Sequence, residues 1–136
     1  MLPVFWGISG WCKMMWNKEA PVSDCLFCKI AAKQIPAAVV HEDDDILAFR
    51  DISPQAPVHL LLIPKAHCAG LNDLTPEVGP ALARIPVVAA RLAREHGVAE
   101  GGWRLLSNCG PDAGQTVFHL HFHLLGGRPL GGRLVH

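Results

Sequence analysis

The sequence predicts an α+β domain: a mainly antiparallel five-stranded sheet with one short N-terminal helix and one longer central helix. Apolar runs of strand length recur at residues 37–41, 46–49, 58–63, 104–107 and 117–125, each bounded by polar, proline or glycine-rich turns. Residues 75–97 alone carry the 3.6-residue apolar period of a long helix. With 136 residues, half of them apolar, the chain fits one domain with a modest core, and no second domain is expected.

Taken in order, Ser23 and Asp24 are the expected caps of the short helix. That helix runs through Cys25, Phe27, Ile30 and Ala31 until Gln34-Ile35-Pro36 stops it. Runs 37–41 and 46–49 flank Glu42-Asp43-Asp44-Asp45, which makes a hairpin. Prolines make Asp51-Ile52-Ser53-Pro54-Gln55-Ala56-Pro57 a loop, and the near-continuous apolar strand after it carries His59 and ends at Pro64. Thr75-Pro76-Glu77 reads as a helix start, with threonine as cap, proline in the first turn and an acid near the positive end. The helical spacing continues through Leu82, Ile85, Val88, Ala89 and Leu92 to His96 and a glycine stop at Gly97. Pro80 and Pro86 interrupt it. Either the helix kinks where Pro86 cannot donate to the Leu82 carbonyl, or it begins only after Pro80. Two last strands, joined by a turn at 108–114, complete the set, without internal repeats or low-complexity tracts.

Residues 1–22 are read as an extension ahead of a domain at 23–136. The run Met-Leu-Pro-Val-Phe-Trp-Gly-Ile is apolar, yet no basic residue precedes it, Pro3 and Gly7 interrupt it, and it is too short to span a bilayer. Trp6, Trp11 and Trp16 recur every five residues, which fits neither helix nor strand. An early start codon, with Met14 or Met15 as the true start, accounts for this; the alternative is a flexible or interface arm whose tryptophans cover an apolar patch.

Twelve basic residues balance twelve acidic ones, so neither a nucleic acid nor an anionic membrane is an expected partner; a small ligand is. The five cysteines, Cys12, Cys25, Cys28, Cys68 and Cys109, are odd in number, which favours a reducing compartment, the cytoplasm.

The chemistry concentrates at Gly114-Gln115-Thr116-Val117-Phe118-His119-Leu120-His121-Phe122-His123-Leu124-Leu125. On a strand, alternation sets the three imidazoles on one face and Phe118, Leu120, Phe122 and Leu124 on the other. A neutral imidazole acts near pH 7 as nucleophile or base and, once protonated, as acid. With His121 attacking phosphorus, His123 or His59 can offset charge or serve the leaving group. Gly114, Gln115 and Thr116 offer backbone, amide and hydroxyl donors to phosphate oxygens, and Asn108 reaches the same sheet edge.

These residues, with the 51–59 segment, resemble the histidine triad (HIT) family of nucleotide hydrolases and transferases over about residues 24–129. Gly126-Gly127-Arg128 resembles its Hint-like branch, the bacterial purine nucleoside phosphoramidases, more than the dinucleoside polyphosphate hydrolases. The resemblance implies a HIT-like fold, a homodimer whose sheets join, and cleavage of the P–N bond of AMP-amine or GMP-amine compounds through a nucleotidyl-histidine intermediate. It makes His121 the nucleophile, with the His119 carbonyl holding its ring. His59 and His123 then support phosphate and leaving group, and Asp51 bonds the ribose hydroxyls. Phe27, Ile30, Ile35 and Leu61 surround the base, while Asn108, Gly114, Gln115 and Thr116 bind phosphate and ribose. Thr116 stands where many Hint proteins have serine, Arg50 occupies a variable position, and the tail after Arg128 departs most.

Cys25-Leu26-Phe27-Cys28, with His67 and His119, can supply four zinc ligands, although a two-residue-spaced cysteine pair is also a redox motif. The resemblance favours structural zinc on these four, with no organic cofactor. Cys12, Cys68 and Cys109 are read as small apolar residues. Three further readings compete: a dinucleoside polyphosphate hydrolase on the same machinery, a zinc-stabilised nucleotide-binding or interaction module with little turnover, and a catalytic metal face made by the triad. Against the last, no carboxylate is expected near the triad.

Overall fold

A computed structural model describes residues 24–132. Its strands are β1 (Val39–Glu42), β2 (Ile46–Arg50), β3 (Val58–Pro64), β4 (Trp103–Leu106) and β5 (Phe122–Gly126). They form one antiparallel sheet in the order β1-β2-β3-β5-β4. Two α-helices, α1 (Leu26–Ala31) and α2 (Gly79–Glu95), pack on it, as the α+β reading expects.

The alternation of the central strands assigns one helix to each face. Ile46, Ala48, Leu60, Leu62 and Leu124 pack against Ala81, Ile85, Val88, Ala89 and Leu92 of α2. Those helix positions recur every three or four residues, the spacing of one buried stripe. On the opposite face, Leu47, Phe49, Leu61 and Ile63 pack against Phe27 and Ile30 of α1. The hairpin turn is held by Asp43, whose Oδ1 accepts the Asp45 and Ile46 N–H groups and whose Oδ2 accepts from Arg84 on α2. The Arg84 hydrogen bond, first among several, keeps the Asp43 carboxyl far below the usual carboxylate range.

Several sequence expectations need correction. The short helix is capped by Cys25 rather than Asp24: the Cys25 sulfur accepts the Cys28 N–H, while Ser23 lies outside the described residues. Thr75 precedes a 3-10 turn, Pro76–Val78, and makes no side-chain cap bond; α2 then starts at Gly79 with Pro80 in its first turn. Pro86 lies inside α2 on the exposed side.

The largest correction concerns the last strand. It begins at Phe122, so of the three alternating histidines only His123 is in it. In register, Leu62 faces Phe122, and two residues further on Leu120 would stand opposite Pro64. Pro64 has no N–H to give, and its carbonyl accepts from His119 instead. The Leu120 N–H turns to the Cys68 carbonyl, and the chain bends over residues 117–119. The tryptophan run, Cys12 and residues 133–136 lie outside the described residues.

Candidate functional site

The site forms on the α1 face, where β3 and β5 run side by side. His59 faces Leu125 and Leu61 faces His123, so His59 and His123 are diagonal neighbours across the ladder. Their rings meet, His59 Nε2 lying 2.9 Å from His123 Nδ1. His121, one step before the strand, sits with its ring centre 5.1 Å from that of His123 and meets the Phe27 ring edge-on at 5.1 Å.

Backbone groups determine which ring nitrogen carries hydrogen. A carbonyl can only accept, so the 2.7 Å contact from His121 Nδ1 to the His119 carbonyl places the hydrogen on Nδ1 and leaves a lone pair on Nε2. The Gln55 N–H donates to His59 Nδ1 at 3.0 Å, so the His59 hydrogen is on Nε2 and points at His123 Nδ1. His123 therefore carries its own hydrogen on Nε2. Burial lowers the pKa of His121 and of His59, and lowers that of His123 to about 4. All three are neutral at pH 7. The His121 lone pair is available for attack, with a ring N–H donor on the neighbouring residue of the face.

Contrary to expectation, a carboxylate does lie by the triad: Asp51 Oδ2 is 3.4 Å from His59 Nε2, and its Oδ1 accepts the Ser53 N–H. Asp51, His59 and His123 have ligand atoms within 4.8 Å of one another. The hydrogen that Gln55 keeps on His59 Nε2 occupies the lone pair a cation would need, so this tautomer opposes a catalytic metal face.

The expected phosphate donors are narrowed by the fold. Gln115 is buried; its Oε1 accepts the Gly110 N–H, and its two amide hydrogens go to the Ala69 and Val117 carbonyls. The Gly114 and Gln115 N–H groups close the turn on Pro111 and Gly110. Gln115 thus shapes the loop rather than presenting donors, while Thr116 is exposed and lines a cleft with Cys25, Leu26 and His67. Asn108 follows β4 on the same loop. Phe27, Ile30 and Leu61 are buried in one cluster, with Ile35 packed against it.

Behind the histidines lies a second group. Cys25 Sγ is 3.3 Å from His119 Nδ1, and Cys28 Sγ is 3.3 Å from His67 Nδ1 and 3.5 Å from His119 Nδ1. Zinc with sulfur at about 2.3 Å and nitrogen at about 2.05 Å spans a tetrahedral S···N edge of roughly 3.6 Å. These separations match it. His119 Nε2 donates to the Pro64 carbonyl at 2.7 Å, leaving the Nδ1 lone pair facing the sulfurs, the outer-sphere arrangement of a ligating histidine. Burial, together with the neighbouring Cys25, pushes the Cys28 thiol up to about 12, a condition that a dication would reverse. The four residues fit a metal ion. Cys68 is buried against Val78 and Leu120, its thiol bonding the Gly70 and Asp73 carbonyls.

Three participants were not anticipated: the Gln55 N–H, the Pro64 carbonyl and Ser107, whose hydroxyl donates to the His121 carbonyl at 2.7 Å. The first two are backbone groups without a sequence signature; Ser107 had only its position at the end of a strand to mark it.

The chain is similar to known proteins over most of its length. A model of the HIT domain matches residues 32–130. The purine nucleoside phosphoramidase of Escherichia coli K12 is 49% identical over 113 residues, 83% of this chain and 95% of that protein. The adenylylsulfatase HINT1 of Arabidopsis thaliana is 46% identical over 110 residues, 79% of this chain and 74% of that one. Among solved structures, a HIT family hydrolase from Legionella pneumophila superposes with a TM-score of 0.77 at 53% identity, covering 80% of this chain and 97% of that one. A histidine triad protein from Clostridium difficile gives 0.77 at 44% identity over 81% and 96%.

Proposed function

Since the chain belongs to the HIT family and is a hydrolase of that kind, we propose that it cleaves the P–N bond of purine nucleoside 5'-phosphoramidates through a nucleotidyl intermediate on His121. The observation that carries this is the 2.7 Å bond from His121 Nδ1 to the His119 carbonyl. It points the Nε2 lone pair outward on a desolvated ring. It also places a carbonyl dipole where positive charge develops as the N–P bond forms.

In the first step, taken from the form in which the His59–His123 pair has picked up one proton from water, His121 Nε2 bonds to phosphorus, the P–N bond breaks, and the protonated pair gives that proton to the leaving nitrogen. In the second, water bonds to phosphorus, the His121–P bond breaks, and the water's proton restores the pair. Thr116 and Asn108 would hold phosphate oxygens and Asp51 the ribose, while Phe27, Ile30, Ile35 and Leu61 would contact the base. Zinc would sit on Cys25, Cys28, His67 and His119. Its contribution would be structural, cross-linking α1 to the bend so that Phe27 stays on His121 and the His119 carbonyl stays in place.

The same reading takes residues 23–136 as the HIT domain, with 1–22 an extension. It joins two copies through their sheets and puts the chain in the cytoplasm. Free thiols at Cys25, Cys28, Cys68 and Cys109 support a reducing compartment. No helix of the described residues is long and apolar enough to cross a membrane.

The test assays an AMP-tryptamine phosphoramidate beside a diadenosine polyphosphate, with rapid-quench trapping. Turnover of the first, an adduct on His121, and at least a ~10³-fold loss in a folded His121→Ala are expected for removal of a nucleophile. Preference for the polyphosphate would move the substrate to the other branch. Full activity in His121→Ala, or no turnover of either compound, would refute the proposal.

A further inference from the structure

The turn after β5 packs on the loop after β2. Gly127 has φ +95°, and a Cβ there would stand 2.9 Å from the Pro57 Cβ, so a glycine is needed for the two segments to meet. The next residue, Arg128, ties them together. Its Nη1 donates to the Pro129 carbonyl at 2.9 Å and its Nη2 to the Gln55 carbonyl at 2.8 Å. Gln55 is also held from within its loop, its side-chain amide donating to the Ser53 carbonyl at 3.0 Å. The remaining polar group of its backbone, the N–H, donates to His59 Nδ1.

One hydrogen-bond chain therefore runs inward from the surface: Arg128 to the Gln55 carbonyl, the Gln55 N–H to His59, and His59 to His123. The middle link decides where two protons sit, because an N–H donor is compatible only with an unprotonated Nδ1 on His59. If Gln55 drifts away, only the longer 3.4 Å contact to Asp51 still favours Nε2–H, so His59 can carry its hydrogen on either nitrogen, and with Nδ1–H it no longer donates to His123. His123 then loses the partner that keeps its own hydrogen on Nε2.

We propose that Arg128, seated by Gly127, is a positioning residue for the reaction: by holding the Gln55 carbonyl it keeps the Gln55 N–H on His59 and so fixes the tautomers of His59 and His123. This rests on the reading of the His59–His123 pair as proton donor to the leaving nitrogen. The planar guanidinium suits the task, since its two arms span the two segments at once, and lysine would keep only one contact.

Selective ¹⁵N-histidine NMR on the full chain reads the tautomers without turnover. In the wild type His59 and His123 should be Nε2–H and His121 Nδ1–H. Arg128→Ala should turn His59 into a mixture and leave His121, held by the His119 carbonyl, unchanged; Arg128→Lys should restore part of the wild-type state. Gly127→Ala should act in the same direction through Pro57. In kinetics, Arg128→Ala should lower kcat roughly tenfold for an alkylamine phosphoramidate, part of the ~10²-fold worth of a placed proton donor, with KM unchanged. A nitrophenyl ester, whose leaving group needs no proton, should lose about twofold or less. A His59 that remains wholly Nε2–H in Arg128→Ala, or equal losses for both leaving groups, overturns the proposal. If the wild type turns over neither compound, the phosphoramidase reading falls while the tautomers still decide the role of Arg128.

Discussion

Stripping the proposed metal from Cys25, Cys28, His67 and His119 is the perturbation with the widest consequences, because those residues connect three separate segments. Two ligands lie in and just before α1, one follows β3, and one lies in the bend before β5. A metal held at a thousandfold excess over its dissociation constant stabilises the folded chain by about 4 kcal/mol. In a domain of this size each kcal/mol moves the melting temperature by roughly 3–6 °C, so chelation should lower it by about 12–24 °C. Cys28→Ala, which removes the sulfur lying 3.3 Å from His67 and 3.5 Å from His119, should melt near the chelated wild type and be insensitive to chelator. Thermal unfolding by circular dichroism with and without chelator, beside metal content per chain, makes the measurement. Binding should weaken on acidification, because the Cys28 thiol, held at about 12 without metal, must lose its proton to ligate. Should chelation move the melting temperature by no more than the ~2 °C of a half-kcal/mol change, the structural-metal reasoning is wrong.

Acid should destabilise the chelated protein in a defined window. The folded pKa of His119 falls from 6.5 to about 4 by burial, so the unfolded chain binds more protons between those values and stability drops as pH falls through them. His119 alone accounts for about 3 kcal/mol, and His123 acts in the same direction. Urea titrations from pH 7 to pH 4 check it, and a flat profile would contradict the burial of these rings. Ser107→Ala removes the 2.7 Å bond to the His121 carbonyl and should cost about 1 kcal/mol in urea unfolding, with kcat reduced several-fold. Leu62→Ala, at a fully buried position between β3 and α2, should cost about 2–5 kcal/mol by the same measurement. Gly126→Ala would place a Cβ 2.9 Å from that of Val98 and should cost about 1–3 kcal/mol, read as a lowered denaturation midpoint.

Much of this molecule was legible in its sequence because the informative signals are local. Apolar runs of strand length gave five strands, and the period through Ile85, Val88, Ala89 and Leu92 gave the long helix with its buried face. The Cys-x-x-Cys pair and the alternating histidines stood out as candidate sites by residue type and spacing alone. Their arrangement was another matter. Read as a strand, the histidines share one face; in the fold a proline across the ladder ends the strand at Phe122, turning His119 toward the cysteines and its carbonyl toward His121.

What the sequence by itself determined is the inventory: the candidate imidazoles, the thiols and the sheet that carries them. Tertiary structure alone decided how each ring is protonated and which polar groups are already spent. Gln115 looked like a phosphate donor and is consumed by three backbone partners, while Gln55, unremarked in its loop, sets the hydrogen of His59. The physical reason is that a carbonyl or an N–H looks alike at every position of a chain. Its meaning arises only when the fold brings it within 3 Å of a ring that has two nitrogens and one hydrogen to place.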